Sequence, residues 1–412
     1  MARRNARRVA GTAVLAAAGM ALVAAQGTAA QAKDSGALTV AVFGDAPYGT
    51  NPTDTSELDR FHLFVDHINA DPQVSTVLDV GDIHSGKSYC TEAYDRRIAQ
   101  ELTRFTQSLV YTPGDNEWTD CHKPGEGGNV LDGGGNPVDY ANGNPVANLA
   151  LVRSLFFSQP GSTLGGGNLV VESQHDFADP AHPEDAAYVE NVRWQRKGVQ
   201  FVSLNIPGGS NDDADPWYGA TSASDAQTGE MRARDAADLR WLDAAFARAT
   251  ADHASAVVVM EQADMWDIDG KTAAHLTNYE PFVASLAQHT NAFGGPVLLL
   301  DGDYHVYRSD NPFSATVPCV TEKDGTEKTC DVAAAEEIAA GVAVKDRKYH
   351  STADETATHP GYSVPNFHRI TVHGSTFPFE WLKLVINPQG GTFGPFSWTR
   401  QGTGITATTP AG

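Results

Sequence analysis

The chain has 412 residues with 51 acidic and 29 basic side chains, which gives a formal net charge of −22. Such an acidic chain is a poor binder of nucleic acid or of anionic lipid, because both repel negative charge. Apolar residues make up 41% of the chain, which is ordinary for a folded core and argues against a disordered protein.

The first 32 residues have the pattern of a secretory signal peptide. Four arginines lie within the first eight residues, residues 9–25 form an apolar stretch, and Ala30-Gln31-Ala32 is an A-x-A cleavage signal. A retained membrane anchor is the alternative, but the stretch is rich in alanine and glycine and only weakly apolar. We expect export by the general or the twin-arginine route, giving a secreted mature protein without a membrane span. Cleavage removes four arginines and no acids, which leaves a net charge of −26.

Four cysteines in an exported chain predict two disulfides. Cys319 and Cys330 flank a polar loop that contains Asp324-Gly325, a pattern typical of a hairpin closed by a local bridge. Cys90 and Cys121 would then pair with each other. A zinc site built on cysteine is the rival interpretation, but the chain has no C-x-x-C spacing.

Alternating strand and helix patterns begin directly after the signal segment. Strands are predicted over residues 38–43, 74–80 and 108–111, with helices over residues 58–70 and 93–105. This alternation indicates a parallel sheet. The segment 121–145 is rich in Gly, Asn and Asp and is predicted as a loop.

The same alternation continues in the second half of the chain. Helices are predicted over residues 147–157, 233–250 and 278–292, and strands over residues 189–196, 199–206, 256–260 and 296–300. Residues 367–372 and 379–386 are predicted to pair as closing strands. We expect residues 33–395 to form one domain and residues 396–412 to form a flexible polar tail.

Four predicted strands end in a glycine followed by an acid. The four pairs are Gly44-Asp45, Gly81-Asp82, Gly114-Asp115 and Gly302-Asp303, and His305 follows the last of them. Ligands of open α/β sheets bind beyond the carboxyl ends of the strands, so these acids should share one space. One such pair is most often a turn or a helix cap, but four in order at strand ends indicate a site. Grouped carboxylates need a neutralising partner, and metal ions are the usual one.

The order and spacing of these motifs resemble the calcineurin-like metallophosphoesterase family, which includes the purple acid phosphatases. The resemblance extends from Leu38 to about Pro388 and is carried by five blocks: Gly44-Asp45-Ala46-Pro47-Tyr48, Gly81-Asp82-Ile83-His84, Gly114-Asp115-Asn116-Glu117, Met260-Glu261-Gln262-Ala263-Asp264 and Gly302-Asp303-Tyr304-His305. It implies an α/β fold, a sandwich of two mixed β-sheets flanked by helices.

The resemblance also implies a set of metal ligands, which we name by position in this chain: Asp45, Asp82, Asp115, Gln262, Asp303 and His305. Asp45, Asp82 and His305 match the ligand residues of the family pattern, and Asp82 takes the position that bridges two ions. Asp115 stands where the family has asparagine, and Asp303 where it has histidine. Gln262 takes the position of a lone histidine, with Glu261 as the alternative one residue away.

Other positions depart further from the family pattern. Pro47 replaces a ligand histidine and offers no donor atom, and either Tyr48 or His84 could fill that gap or have no ligand role. Asn116 replaces the histidine that protonates the leaving group, and asparagine has no titratable proton. Asn116 and His84 are therefore our candidate catalytic residues, and His84 or His122 could supply the missing acid.

Oxygen-rich ligands favour Mn²⁺, Mg²⁺, iron or Ca²⁺ over zinc, and the family pattern implies two ions. The implied activity is the hydrolysis of phosphate mono- or diesters, in small molecules or phosphorylated substrates, through a metal-bound hydroxide. The alternative is a protein of the same fold that binds a metal or ligand without turnover, as the missing histidines would allow. A serine hydrolase is excluded by the lack of a G-x-S-x-G sequence.

Overall fold

Two mixed β-sheets form the centre of the computed structural model, which describes residues 36–212, 215–268, 273–374 and 377–411. Within these residues the strands are β1 (Leu38–Phe43), β2 (Val74–Asp79), β3 (Ser108–Tyr111), β4 (Leu164–Gly165), β5 (Glu172–Ser173), β6 (Val192–Arg196), β7 (Val199–Ser203), β8 (Ala256–Met260), β9 (Val297–Asp301), β10 (Arg308–Asp310), β11 (Val320–Lys323), β12 (Thr326–Thr329), β13 (Phe367–Thr371), β14 (Glu380–Ile386) and β15 (Phe396–Gly402). The smaller sheet has the order β15-β14-β1-β2-β3-β4, and the larger one β12-β11-β10-β13-β9-β8-β7-β6-β5.

Helices cover the outer faces of both sheets. The α-helices of the described residues are Phe61–Asn69, Glu92–Leu102, Pro145–Phe156, Gln174–Phe177, Asp225–Ala251, Glu280–Phe293, Cys330–Ala339 and Thr352–Thr358, and a short turn with left-handed φ angles lies at Gly208–Asp212. Short 3₁₀ turns lie at Leu58–Arg60, Asp120–His122, Pro124–Glu126, Tyr140–Gly143, Pro183–Ala187, Trp217–Gly219, Ala273–Tyr279 and Val344–Asp346. No helix in the described part of the chain combines the length and the apolar character that a membrane crossing requires.

The central strands β1, β8 and β9 are mainly apolar, as expected of strands that are buried on both faces. In β1, Val40 and Val42 face the core between the two sheets, whereas Ala41 and Phe43 pack against the helices outside the smaller sheet. In β8, Val257 belongs to the helix-covered face of the larger sheet. The predicted fold class, an α/β sandwich of two mixed sheets flanked by helices, is confirmed.

Two predictions near the C-terminus are wrong. Residues 367–372 and 379–386 do not pair with each other, because β13 lies in the larger sheet beside β9 and β10, whereas β14 lies in the smaller sheet between β1 and β15. The predicted flexible tail begins with a strand, since β15 pairs with β14 over its full length. The predicted signal segment, residues 1–32, lies outside the described residues.

Both predicted disulfides are present. Cys90 is bonded to Cys121, which ties the loop after β2 to the 3₁₀ turn that follows β3. Cys319 is bonded to Cys330 across the β11–β12 hairpin, and the Asp324-Gly325 turn of that hairpin has the positive φ angles expected for it. The first bridge braces the region that carries the third Gly-Asp motif.

A buried histidine between the sheets makes the stability of the fold depend on pH. His368 Nε2 in β13 is hydrogen-bonded to Ser309 Oγ at 2.9 Å, and the His368 ring lies 4.9 Å from the ring of Trp398 in β15. Burial lowers the pKa of His368 to about 4. In the unfolded chain the pKa of a histidine is about 6.5. The difference between the two pKa values therefore stabilises the fold fully above pH 6.5, and this stabilisation is lost as the pH falls toward 4.

We therefore expect His368→Gln, which keeps a hydrogen-bonding group but cannot titrate, to flatten this pH dependence. Between pH 7.5 and 4.5 the parent should lose about 2–3 kcal/mol more unfolding free energy than the variant. Urea unfolding at the two pH values measures the difference. An exposed histidine, His253, provides the control as His253→Gln, and an equal slope for parent and His368→Gln would contradict the expectation.

Candidate metal centre

The four predicted Gly-Asp motifs meet at the carboxyl ends of parallel strands in the two sheets. Asp45 follows β1, Asp82 follows β2, Asp115 follows β3, and Asp303 follows β9. Backbone hydrogen bonds join the loops within each sheet, from Asp45 N–H to Gly81 O at 2.8 Å and from Gly302 N–H to Gln262 O at 2.9 Å. The predicted convergence of these loops is present in the structure.

Two of the glycines in these motifs are required by close contacts with acid side chains. A Cβ on Gly114 would lie 2.1 Å from Asp82 Oδ1, and a Cβ on Gly302 would lie 2.6 Å from Asp45 Oδ2. Any larger residue at either position would displace a carboxylate. The Gly-Asp pairing therefore reflects the crowding of neighbouring loops around the acids.

Four of the predicted site residues have left-handed backbone conformations. The φ angles are 50° at Asp45, 59° at Asp82, 63° at Asp303 and 63° at His305. Side chains with a Cβ rarely adopt such angles, and their clustering in one place is typical of functional sites where surrounding structure maintains the strain. The donor atoms of three of these residues, Asp45, Asp82 and His305, lie close to one another.

Asp45, Asp82 and His305 form a compact group, which we call the primary cluster. Each offers one donor atom, and the three atoms lie within 4.8 Å of one another. His305 Nε2 is 3.3 Å from Asp45 Oδ1. Both acids are fully buried, whereas the side chain of His305 is 39% exposed. His305 is therefore the most solvent-exposed member of the group.

Tyr48 lies against the primary cluster. Its hydroxyl donates to Asp82 Oδ2 at 2.6 Å and lies 3.2 Å from His305 Nε2 and 3.4 Å from Asp45 Oδ1. The hydroxyl thus contacts every member of the primary cluster. Of the two residues that the sequence left open for the gap at Pro47, the structure brings Tyr48 to the site.

Asp115 and Asp303 form a second acid pair beside the primary cluster. A Cβ on Gly208 would lie 2.7 Å from Asp303 Oδ1 and 2.9 Å from Asp115 Oδ2, so both carboxylates converge on this glycine. Burial, with the charges of Asp120 and Asp303, raises the pKa of Asp115 to about 8. Burial and the charge of Asp115 raise the pKa of Asp82 as well. Asp82 therefore links the two groups of acids electrostatically.

Gln262 orients the second acid pair. Its Oε1 accepts from Gly208 N–H at 2.5 Å, and its Nε2 donates to Asp115 Oδ1 at 2.9 Å. Because the amide oxygen is engaged by the backbone, the group that faces Asp115 is a donor. The predicted ligand role does not fit this orientation, and Glu261, the alternative, is buried outside the cleft with neither carboxylate oxygen hydrogen-bonded in the described structure.

Asn116 lies at the junction between the third motif and the primary cluster. Its Nδ2 donates to Asp82 Oδ2 at 2.8 Å and to the Tyr48 hydroxyl at 3.0 Å, and its backbone N–H lies 3.2 Å from Asp82 Oδ1. Both amide protons are therefore used to hold Asp82 and Tyr48. The sulfur atoms of Cys90 and Cys121 contact Asn116 O at 3.4 and 3.6 Å, so the disulfide backs this residue.

The two histidines considered as substitute acids lie away from the cleft. His84 is fully buried with its ring 5.6 Å from that of Tyr94, and burial lowers the pKa of His84 to about 4. His122 is also buried, and its Nδ1 accepts from Tyr218 N–H at 3.1 Å. A catalytic acid must reach the substrate, so the predicted catalytic role of His84 does not fit its position.

A cleft of about 440 Å³ opens above the primary cluster. Its lining residues are Tyr48, Gly49, Thr50, Asp82, Ser85, Gly86, Lys87, Asp115, Asn116, Asp303, His305 and Lys348. The acids form its buried part, whereas the two lysines are exposed. Sequence reasoning did not identify these lysines: Lys87 lies just after the second motif, but nothing in the sequence places Lys348 near it.

The residues of the primary cluster fit a bound metal ion. Asp45 Oδ2 is buried without a hydrogen-bond partner in the described structure, which is costly for a carboxylate whose charged partner there is His305 alone. Two carboxylates, an imidazole and a phenol are also a donor set that transition metals accept. An ion at this position would neutralise the buried acids and use the unpaired oxygen.

No family model and no curated protein matches this chain. A purple acid phosphatase from yellow lupin (Lupinus luteus) seeds aligns at 10% identity and a TM-score of 0.38, covering 90% of this chain and 52% of that one. PhoD aligns at 11% identity and a TM-score of 0.41, covering 89% and 68%. This chain thus spans about half of the lupin protein, and its function must be argued from its own site.

Proposed function

We propose that this protein is a metal-dependent phosphoester hydrolase. The observation that carries the proposal is the primary cluster itself, in which two buried carboxylates, with no lysine or arginine partner among the described residues, meet a partly exposed histidine at the floor of a cleft. Phosphoryl transfer needs little from a protein except positioning and compensation of negative charge. A metal ion between these residues would supply Lewis acidity and an activated water.

The residues of the chain have separate tasks in this proposal. Asp45, Asp82 and His305 hold one ion, with Tyr48 as a further oxygen donor. The second acid pair would hold another ion, since Asp115 and Asp303 converge on one point beside Asp82. Four carboxylates and one imidazole favour Mn²⁺, Mg²⁺, iron or Ca²⁺ over zinc.

The rest of the cleft binds the ester. The amide of Asn116 holds Asp82 and Tyr48 in place. Lys87 and Lys348 supply positive charge at the mouth, where an anionic substrate enters a strongly acidic protein. The substrates are phosphate mono- or diesters, in small molecules or phosphorylated macromolecules.

The site of action that we propose is outside the cytoplasm. The signal pattern in residues 1–32 supports this. The two disulfides support it independently, because structural disulfides persist in oxidising compartments.

The test is hydrolysis of 4-nitrophenyl phosphate and bis(4-nitrophenyl) phosphate by protein stripped with a chelator and then supplied with Mn²⁺, Mg²⁺, Fe³⁺, Ca²⁺ or Zn²⁺. We expect turnover to vanish on stripping and to return with at least one of the oxygen-preferring ions. Turnover that persists in stripped protein would contradict metal dependence.

Metal-bound protein that hydrolyses neither ester would favour the second candidate, a protein that binds a metal or ligand without turnover. The observation that favours this candidate is the composition of the cleft. His305 is the only imidazole among the described residues that line it, and the proposal assigns that imidazole to the metal. No other histidine in the described cleft could act as a general acid.

We expect Tyr48→Phe to weaken metal binding by about 10- to 100-fold, the usual effect of removing a group that supports the ligands directly. The change deletes one hydroxyl and retains the ring that packs beside His305 at 5.3 Å. Competition with a metal-sensitive dye measures the affinity. Tyr89→Phe supplies a matched control outside the cleft, and unchanged affinity in Tyr48→Phe would show that the phenol has no role at the metal.

A further inference from the structure

Lys87 and Lys348 stand out among the lysines that the structure describes. Lys123, Lys323, Lys328 and Lys383 each form an ion pair with a carboxylate. Lys87, Lys345 and Lys348 form no ion pair with any described residue, although the chain carries 51 acids. Of these three lysines, Lys87 and Lys348 line the cleft above the primary cluster. In so acidic a protein, two unpaired ammonium groups at one opening point to an anionic ligand.

The loop that carries Lys87 is held in place by hydrogen bonds. Lys87 N–H donates to Ser85 Oγ at 3.3 Å, and the same hydroxyl donates to Gly49 O at 2.6 Å. Ser88 N–H closes the turn on Ser85 O at 2.9 Å. The backbone of Lys87 is therefore fixed relative to the loop that contains Tyr48.

The segment that carries Lys348 is anchored independently. The backbone N–H groups of Lys348 and Tyr349 both donate to Glu337 Oε2, each at 3.0 Å. Glu337 lies on the helix Cys330–Ala339, whose first residue is bonded to Cys319. The second disulfide thus braces the segment that brings Lys348 to the cleft. Two lysines from distant parts of the chain are presented by rigid backbone.

We propose that Lys87 and Lys348 bind a second anionic group, a phosphate or a carboxylate, on the alcohol portion of the substrate. This inference rests on the proposed function and specifies its substrate class. The phosphoryl group to be cleaved occupies the floor of the cleft, beside Asp82 and His305. A cleft of about 440 Å³ has room for a second group toward the lysines.

The test compares 4-nitrophenyl phosphate with the same ester carrying a carboxylate on its ring, in the metal-loaded parent and in the double variant Lys87→Met/Lys348→Met. The preference is the ratio of kcat/KM for the two esters, so differences in leaving-group reactivity cancel between proteins. We expect the preference for the carboxylated ester to fall about threefold to tenfold in the double variant, the size expected of two exposed ion pairs. In the parent, raising the salt concentration should lower the same preference.

Lys345→Met is the matched control, since Lys345 is an exposed lysine three residues away that does not line the cleft. It should leave the preference unchanged. An equal preference in the parent and the double variant would overturn the inference while leaving the proposed hydrolysis intact.

If the parent hydrolyses neither ester, the proposed function fails and binding replaces turnover as the measurement. Phenylphosphonate and its ring-carboxylated analogue then serve as the probes, with affinities measured by calorimetry on metal-loaded protein. A carboxylate-dependent gain in affinity that the double variant loses would support the role of the lysines. Equal affinities in the two proteins would overturn it.

Discussion

The variant Asp82→Asn should bind metal more weakly and hydrolyse phosphate esters at least about a thousandfold more slowly than the parent. Asp82 lies between the two groups of acids, where it contacts Tyr48 and Asn116 and acts electrostatically on Asp115. Charge compensation by a metal is worth several kcal/mol in phosphoryl transfer, and each 1.4 kcal/mol is a factor of ten in rate. Asparagine keeps the shape of the side chain but removes its charge.

The same change should leave the metal-free protein at least as stable as the metal-free parent. Burial, with the charges of Asp115, Glu117 and Asp45, raises the pKa of Asp82, so the ionised carboxylate is unfavourable where it stands. Replacing it with a neutral amide removes that penalty. A loss of activity with unchanged or higher thermal stability therefore separates loss of the metal from misfolding.

Elemental analysis and calorimetric titration of Asp82→Asn measure the metal, and Asp82→Ala should abolish binding of the second ion as well as weaken the first. An exposed acid, Asp66, gives the control as Asp66→Asn. If Asp82→Asn retained full occupancy and full turnover, the assignment of this residue would be wrong.

Turnover should depend steeply on the leaving group, with nitrophenyl esters cleaved far faster than alkyl esters. The physical reason is Asn116, whose two amide protons are held by Asp82 and the Tyr48 hydroxyl and which has no titratable proton to give. General-acid catalysis is usually worth about a hundredfold to ten-thousandfold. Alkyl esters, whose alkoxide must be protonated as it leaves, should therefore be hydrolysed about a hundredfold to ten-thousandfold more slowly.

A series of esters with leaving groups of rising pKa, measured for the parent, Asn116→His and Asn116→Gln, tests this expectation. The histidine variant should recover alkyl ester turnover relative to the parent, whereas the glutamine variant should not. His84→Ala and His122→Ala should leave the leaving-group dependence unchanged, because both side chains are buried and neither lines the cleft. A flat dependence in every protein would show that proton donation does not limit turnover.

The sequence predicted the fold where local patterns carry the information. Strand β8 follows from a run of apolar residues, and the β11–β12 hairpin follows from the Asp324-Gly325 turn. The predictions were wrong where pairing between distant parts of the chain determines the structure. β13 and β14 are close in the chain, but each pairs with strands far from the other, and β15 is too polar to be recognised without the neighbour it covers.

The candidate site shows the same division. The Gly-Asp motifs predicted which loops form the site, because each motif directly follows a strand that the sequence itself indicates. The sequence left the role of Tyr48 open. Its hydroxyl reaches the primary cluster through the left-handed turn at Asp45, which the sequence does not show. Gln262 was predicted as a ligand from its position in the family pattern, whereas in the fold its amide oxygen accepts from Gly208 N–H, 54 residues earlier in the chain. Contacts between residues so far apart in the chain can be identified only from the folded structure.

The position of the metal itself is the most direct test. Crystals of the mature protein grown with Mn²⁺ would be measured at a wavelength where manganese scatters anomalously. Our account predicts an anomalous peak bounded by Asp45, Asp82, His305 and the Tyr48 hydroxyl, with a second peak at Asp115 and Asp303. The absence of any peak in this cleft, with the acids ordered and manganese in excess, would contradict the account.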